Sequence, residues 1–240
     1  MSNKISYNYS PNFYSFKRRP KDIKFIILHY TGMKNDKMSI KRLTDNKSSV
    51  SCHYYIDQNG RIIVIVPDLF IAWHAGKSKW KKIKLLNKSS IGIEISNPGH
   101  EHGYKNFTNK QLKSLKKILS FLMKKYKIDL KNILGHSDIA PNRKKDPGEK
   151  FPWYTLSKKN LCLWHTLKIS ELRKSRGKKI NAISKKIFFK NLSMIGYDIS
   201  NLKIHKKYIT RAFQRRFRPK LINAVVDEES YLISKNLISG

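Results

Sequence analysis

Runs and alternations of apolar residues divide this chain into segments of distinct type. Phe25-Ile26-Ile27-Leu28 is unbroken apolar sequence, the pattern of a strand buried on both faces, and His29-Tyr30-Thr31-Gly32 follows at its carboxyl end. Before it, residues 1–21 are polar and read as an irregular arm closing on Pro20. Ser39 to Asn46 suits a short helix. His53 to Ile56 and Arg61 to Val66 read as two strands joined through Asp57-Gln58-Asn59-Gly60, whose Asn-Gly pair marks a hairpin. Ala72 to Gly76 opens a Lys-rich loop running to about Ser89. Ser90 to Ser96 is mostly apolar, as a central strand would be, until Asn97-Pro98-Gly99 breaks it.

From Thr108 to Tyr126 the apolar positions Leu112, Leu115, Ile118, Leu119, Leu122 and Met123 keep a helical period, and Thr108 with Gln111 makes a capping box. Ile133-Leu134 is a short last strand. Residues 166–179 are polar and basic, the composition of a linker. Beyond them Ile180 to Met194, Lys206 to Phe217 and Asp227 to Asn236 predict three short helices. The expected architecture is α/β: a central mixed β-sheet flanked by helices over residues 1–165, then a small three-helix domain over 180–240.

Composition adds one anomaly. A 240-residue chain that is 40% hydrophobic and 28% charged can build an ordinary core, but its net charge is +35. Lysine supplies 40 of the 51 cations, scattered over polar faces in both halves, which is the pattern of a solvated surface. The other reading is attraction to a polyanion such as nucleic acid, an anionic membrane or a wall polymer. No nucleic-acid motif accompanies the charge, so no specific nucleic-acid partner is expected. Cys52 and Cys162 lack metal-type spacing and read as reduced, buried thiols. No apolar run near the amino terminus suits a secretory signal and none reaches membrane-spanning length, so a cytoplasmic protein is expected, or an envelope protein if a leader has been removed. Oligomeric state is not legible.

Candidate chemistry concentrates in L-G-H-S-D-I-A-P-N-R-K-K-D-P-G-E-K-F-P-W, residues 134–153. Its Pro and Gly make it a loop that can fold back, letting His136 and Asp146 face one point, and both are ordinary zinc ligands. A catalytic zinc needs a third protein ligand and an open position. His29, at the end of a buried strand, is the candidate, although alone it would read as a core histidine. Glu94 sits in an apolar strand, where a carboxylate needs either a salt-bridge partner or a task such as general base. Trp73-His74-Ala75-Gly76 suits a substrate rim or a Trp anchoring a loop, and Tyr30 and Asn97 join it as candidate substrate contacts.

Taken in order, F-I-I-L-H-Y-T-G-M, A-W-H-A-G-K-S, I-G-I-E-I-S-N-P-G-H-E and L-G-H-S-D-I-A-P-N-R-K-K-D-P-G resemble the zinc-dependent N-acetylmuramoyl-L-alanine amidases of the type-2 amidase family, which share their fold with peptidoglycan-recognition proteins. The resemblance spans about residues 22–165. It implies one zinc ion held by His29, His136 and Asp146, with Glu94 as acid/base residue and Lys144 as the cation beside the metal. The implied substrate is the amide joining N-acetylmuramic acid, or its 1,6-anhydro form, to L-alanine in peptidoglycan or anhydro-muropeptides. A non-catalytic muropeptide receptor of the same fold is the alternative. Residues 195–198 and 209–217 resemble the helical peptidoglycan-binding domain fused to some of these amidases, departing from it in the insertion from Pro219 to Val226.

Overall fold

The computed structural model describes residues 5–239. In chain order its elements are β1 (Ser6–Tyr7), β2 (Phe13–Tyr14), β3 (Phe25–Tyr30), α1 (Asp36–Thr44), β4 (Tyr54–Ile56), β5 (Ile62–Val64), β6 (Ile71–Ala72), β7 (Lys79–Trp80), β8 (Ile83–Lys84) and β9 (Ser90–Ile95). They continue with α2 (Asn109–Tyr126), β10 (Ile133–Gly135), α3 (His136–Ile139), α4 (Trp153–Ser157), α5 (Ile169–Ser175), α6 (Ala182–Ile195), α7 (Leu202–Phe217) and α8 (Glu228–Ser239).

Six strands form the expected mixed sheet, in the order β1-β5-β4-β9-β3-β10. The β4–β5 hairpin is antiparallel, whereas β4, β9, β3 and β10 run parallel. Burial on both faces explains the unbroken apolar run of β3. Ile26 and Leu28 pack with Leu115, Ile118, Leu119 and Leu122 of α2 on one side. Phe25 and Ile27 pack with Phe188, Phe213 and Ile233 of α6, α7 and α8 on the other. The α2 start carries the full capping box, Thr108 and Gln111 each bonding the other's backbone N–H, which satisfies donors that a helix terminus leaves open.

Register decides where the chemistry falls. His29 of β3 pairs with Glu94 of β9, and Gly135 of β10 pairs with Leu28, so His136 emerges beside His29. Three neighbouring parallel strands thus end together, which is where open α/β sheets place their sites.

Several segments differ from their sequence-based expectation. The amino-terminal arm contributes β1 and β2 to sheets, and Arg18 runs beneath the core, 7% exposed, donating to the carbonyls of Asp68, Asn87 and Ser90. Helix α1 starts at Asp36 because the Asn35 side chain accepts the Met38 N–H as a cap. Residues 166–179 carry α5, whose Leu172 is buried in the core shared by the sheet and the C-terminal helices. That cluster joins Phe25, Ile27 and Leu134 of the sheet to residues of α5, α6, α7 and α8. Gly196, at φ +140°, allows the Trp80 indole to close on it, since a Cβ there would lie 2.4 Å from the ring. Among the described residues no helix is long and apolar enough to cross a membrane.

Candidate active site

His29, His136 and Asp146 converge as the spacing argument expected. Nδ1 of His29 lies 2.9 Å from Nδ1 of His136, and each is 3.0 Å from Oδ2 of Asp146. All three side chains are buried. Two imidazole nitrogens and a carboxylate oxygen packed this closely repel unless a cation or proton lies among them. A tetrahedral ion with ligands at about 2.0–2.1 Å asks for donor atoms about 3.3 Å apart, so a few tenths of an ångström of opening would admit one.

Each ligand is held from behind. The Ser137 N–H donates to the Asp146 carbonyl at 2.9 Å, closing the loop that links the two ligands. His136 Nε2 lies 3.2 Å from the Ala75 carbonyl, which can only accept, so Nε2 carries the proton and Nδ1 is left with its lone pair. The Arg143 guanidinium donates to the carbonyls of Ala75 and Lys77, tying the 75–77 segment to the same loop.

Burial sets the charges. Burial and the neighbouring His136 bring His29 down to about 4, so its ring is neutral near pH 7. The two imidazoles hold the Asp146 carboxyl well below the usual carboxylate range, against the opposing effect of burial. Two imidazoles and one carboxylate make a donor set suited to a divalent metal.

Glu94 faces the same cavity from the adjacent strand. Burial, and then the Asp146 charge, push its carboxyl well above the ordinary value, while the Lys144 charge acts in the opposite direction. Its Oε2 is enclosed and has no protein partner. An unpartnered carboxylate oxygen beside a metal donor set is where an attacking water can be held.

The cavity, about 490 Å³, is floored by these residues and Lys144. Of the expected substrate contacts, Tyr30, Trp73 and His74 line it, whereas Ala75, Gly76 and Asn97 do not. Ala75 is fully buried. Gly76, at φ +56°, lies against Arg143. Asn97 is 2% exposed, its side chain accepting the Gly99 N–H and donating to the Lys105 carbonyl, so it shapes the loop after β9. Arg42, Arg143, His100 and Glu101 also line the cavity. Sequence reasoning gave them no role: His100, Glu101 and Arg143 fall inside the quoted stretches and Arg42 on a predicted helix, but only the path of the loops brings all four to one cavity wall. Tyr30 is held by that wall: its hydroxyl donates to His100 Nδ1 at 2.8 Å while His100 Nε2 donates to Glu149.

A profile of the N-acetylmuramoyl-L-alanine amidase family matches residues 19–149, a span that contains every ligand and acid/base candidate named above. The chain belongs to that family. It is 32% identical over 230 residues to the N-acetylmuramoyl-L-alanine amidase AmiD of Escherichia coli K12, covering 90% of this chain and 82% of that one. It is 32% identical over 162 residues to the 1,6-anhydro-N-acetylmuramyl-L-alanine amidase AmpD of Haemophilus influenzae, covering 60% of this chain and 85% of that one. Among solved structures, AmpDh3 from Pseudomonas aeruginosa superposes with a TM-score of 0.80 at 28% identity, over 95% of this chain and 96% of that one. The E. coli AmiD complex superposes with a TM-score of 0.79 at 31% identity, over 91% and 89%.

In this amidase the C-terminal helices reach the loop that carries His136 and Asp146. Arg216 of α7, 3% exposed, donates to Asp138 Oδ2 at 2.6 Å and to the Ile133 carbonyl at 3.1 Å, and its guanidinium lies 4.2 Å from the Trp153 ring centroid. Tyr197 donates to the other Asp138 oxygen at 2.7 Å, and the Gly135 N–H donates to Oδ2. Asp138 stands two residues after His136, so the C-terminal helices brace the turn that presents His136. Arg216→Leu strips a buried carboxylate of its counter-charge, and the unfolding free energy is expected to fall by about 3–5 kcal/mol. Urea unfolding checks this, and a loss under about 1 kcal/mol would show that the brace is dispensable.

Proposed function

We propose that this amidase holds one zinc ion between His29, His136 and Asp146 and hydrolyses the amide between 1,6-anhydro-N-acetylmuramic acid and L-alanine in muropeptides. The observation that carries it is the triad of donor atoms 2.9–3.0 Å apart, in one cavity with a glutamate oxygen that no protein group satisfies. Zinc, when bound, supplies Lewis acidity toward the scissile carbonyl and lowers the pKa of water. Glu94 takes a proton from the attacking water and later delivers it to the leaving amine; burial raises its carboxyl above the ordinary value, which helps it hold that proton between the two steps. Lys144 lines the same cavity and offers its ammonium to the oxyanion of the tetrahedral intermediate.

The choice of the anhydro form is supported by relatives. AmpD is named for the 1,6-anhydro substrate, and the AmiD and AmpDh3 structures include complexes with anhydromuramic peptides. We assign catalysis to residues 1–165 and give the helical unit, 180–240, the task of supporting the site through Asp138 and Trp80.

Incubating zinc-loaded protein with a purified anhydro-muropeptide should release free stem peptide, seen by mass spectrometry as loss of the anhydro-muramyl mass. Binding without release would assign a receptor instead.

A further inference from the structure

Beneath His29 a buried run of hydrogen bonds continues away from the cavity. His29 Nε2 lies 3.1 Å from His74 Nδ1, His74 Nε2 lies 3.2 Å from Ser90 Oγ, and Ser90 Oγ lies 2.6 Å from the Leu86 carbonyl oxygen. The last group sets the direction of the whole run, because a peptide carbonyl only accepts. Ser90 must therefore donate to Leu86, leaving its oxygen to accept from His74 Nε2–H. His74 is buried, and its ring nitrogens face His29 and Ser90 and no carboxylate, so the ring is neutral and its Nδ1 bears a lone pair. That lone pair accepts from His29 Nε2–H. His29 Nδ1 is then bare, and it is the atom that faces His136 and Asp146.

Space for this arrangement is made by Gly92, next to Ser90 on the same face of β9. A Cβ at Gly92 would lie 2.4 Å from His74 Cγ, so any other residue there would displace the ring. His74 meets His29 edge-on, at 5.2 Å between centroids. Both nitrogens of His74 are committed in buried bonds, which leaves no polar atom of its ring for the substrate contact that the A-W-H-A-G stretch suggested.

We propose that His74, oriented by Ser90, is a positioning residue that locks His29 in the tautomer able to ligate a metal. The inference deepens the zinc reading and rests on it. Metal affinity at this site is thus set by a residue that never touches the ion, as partners behind metal-bound histidines commonly do.

The test compares zinc affinity, by competition with a chromogenic chelator, in wild type, His74→Leu, His74→Asn and Ser90→Ala. His74→Leu keeps the packing but removes the acceptor, and should weaken zinc binding by about 10–100-fold. His74→Asn places Oδ1 near the position of Nδ1 and should recover most of that loss. The visible spectrum of cobalt-loaded protein should be altered in His74→Leu and restored in His74→Asn. Ser90→Ala, a smaller change, should weaken zinc binding with little effect on thermal unfolding of the metal-free protein, and it carries the test if His74→Leu does not fold. Wild-type zinc affinity in folded His74→Leu or in Ser90→Ala, or an Asn variant no better than Leu, would overturn this inference alone. A wild type that binds no zinc would overturn the zinc reading and this inference together.

Discussion

Glu94→Gln is expected to bind zinc as wild type does while turning over anhydro-muropeptide about 10²–10⁴-fold more slowly, the usual contribution of a positioned acid/base group. The separation of the two effects follows from geometry. Glu94 is on β9, outside the cluster of donor atoms formed by His29, His136 and Asp146, so its loss leaves that set whole. Gln occupies the same volume and is neutral, and burial already disfavours charge at this position, so folding should be preserved or improved. KM should change little, because the proton transfer is felt only along the reaction path. Steady-state kinetics with zinc content measured on the same sample decide it. Turnover within a few-fold of wild type would remove Glu94 from the acid/base role.

His136→Ala is expected to lose both metal and activity. One of three protein ligands disappears, and with it the hydrogen bond from Nε2 to the Ala75 carbonyl that links the two loops beside the metal. Lewis-acid assistance is commonly worth several kcal/mol, and each 1.4 kcal/mol is tenfold, so turnover should fall by about 10³-fold or more. Zinc content after dialysis should drop to background while circular dichroism shows the fold retained, since His136 lies at the end of the sheet and outside the apolar clusters. A variant that keeps one equivalent of zinc would be incompatible with the proposed ligand set.

The parts of the fold that were legible are those written in short-range chemistry. The apolar run of β3, the Asn-Gly hairpin between β4 and β5, and the Thr108–Gln111 capping box each depend on residues within a few positions of one another. The same holds for His136 and Asp146, ten positions apart on one loop. Arg18, by contrast, looks like one of many surface cations in the sequence, yet it is buried and bonds to Ser90, 72 positions away. Nothing near Arg18 signals that outcome. The substrate rim suffered in the same way: Asn97 is a polar residue after a strand, and only the path of the following loop turns its side chain inward to bond Lys105.

The sequence by itself therefore determined the types of element, the fold class and the identity of the groups able to hold a metal, because hydrophobic period, capping and turn chemistry act over one or two turns of chain. The tertiary structure alone decided that His29 meets Asp146 across 117 positions, that Arg216 reaches Asp138 across 78, and that His74 Nδ1 lies against His29 Nε2 across 45. Those contacts depend on strand register and on which helix covers which face. Both are settled by how the whole set of apolar surfaces can be buried at once, a condition that no local stretch contains.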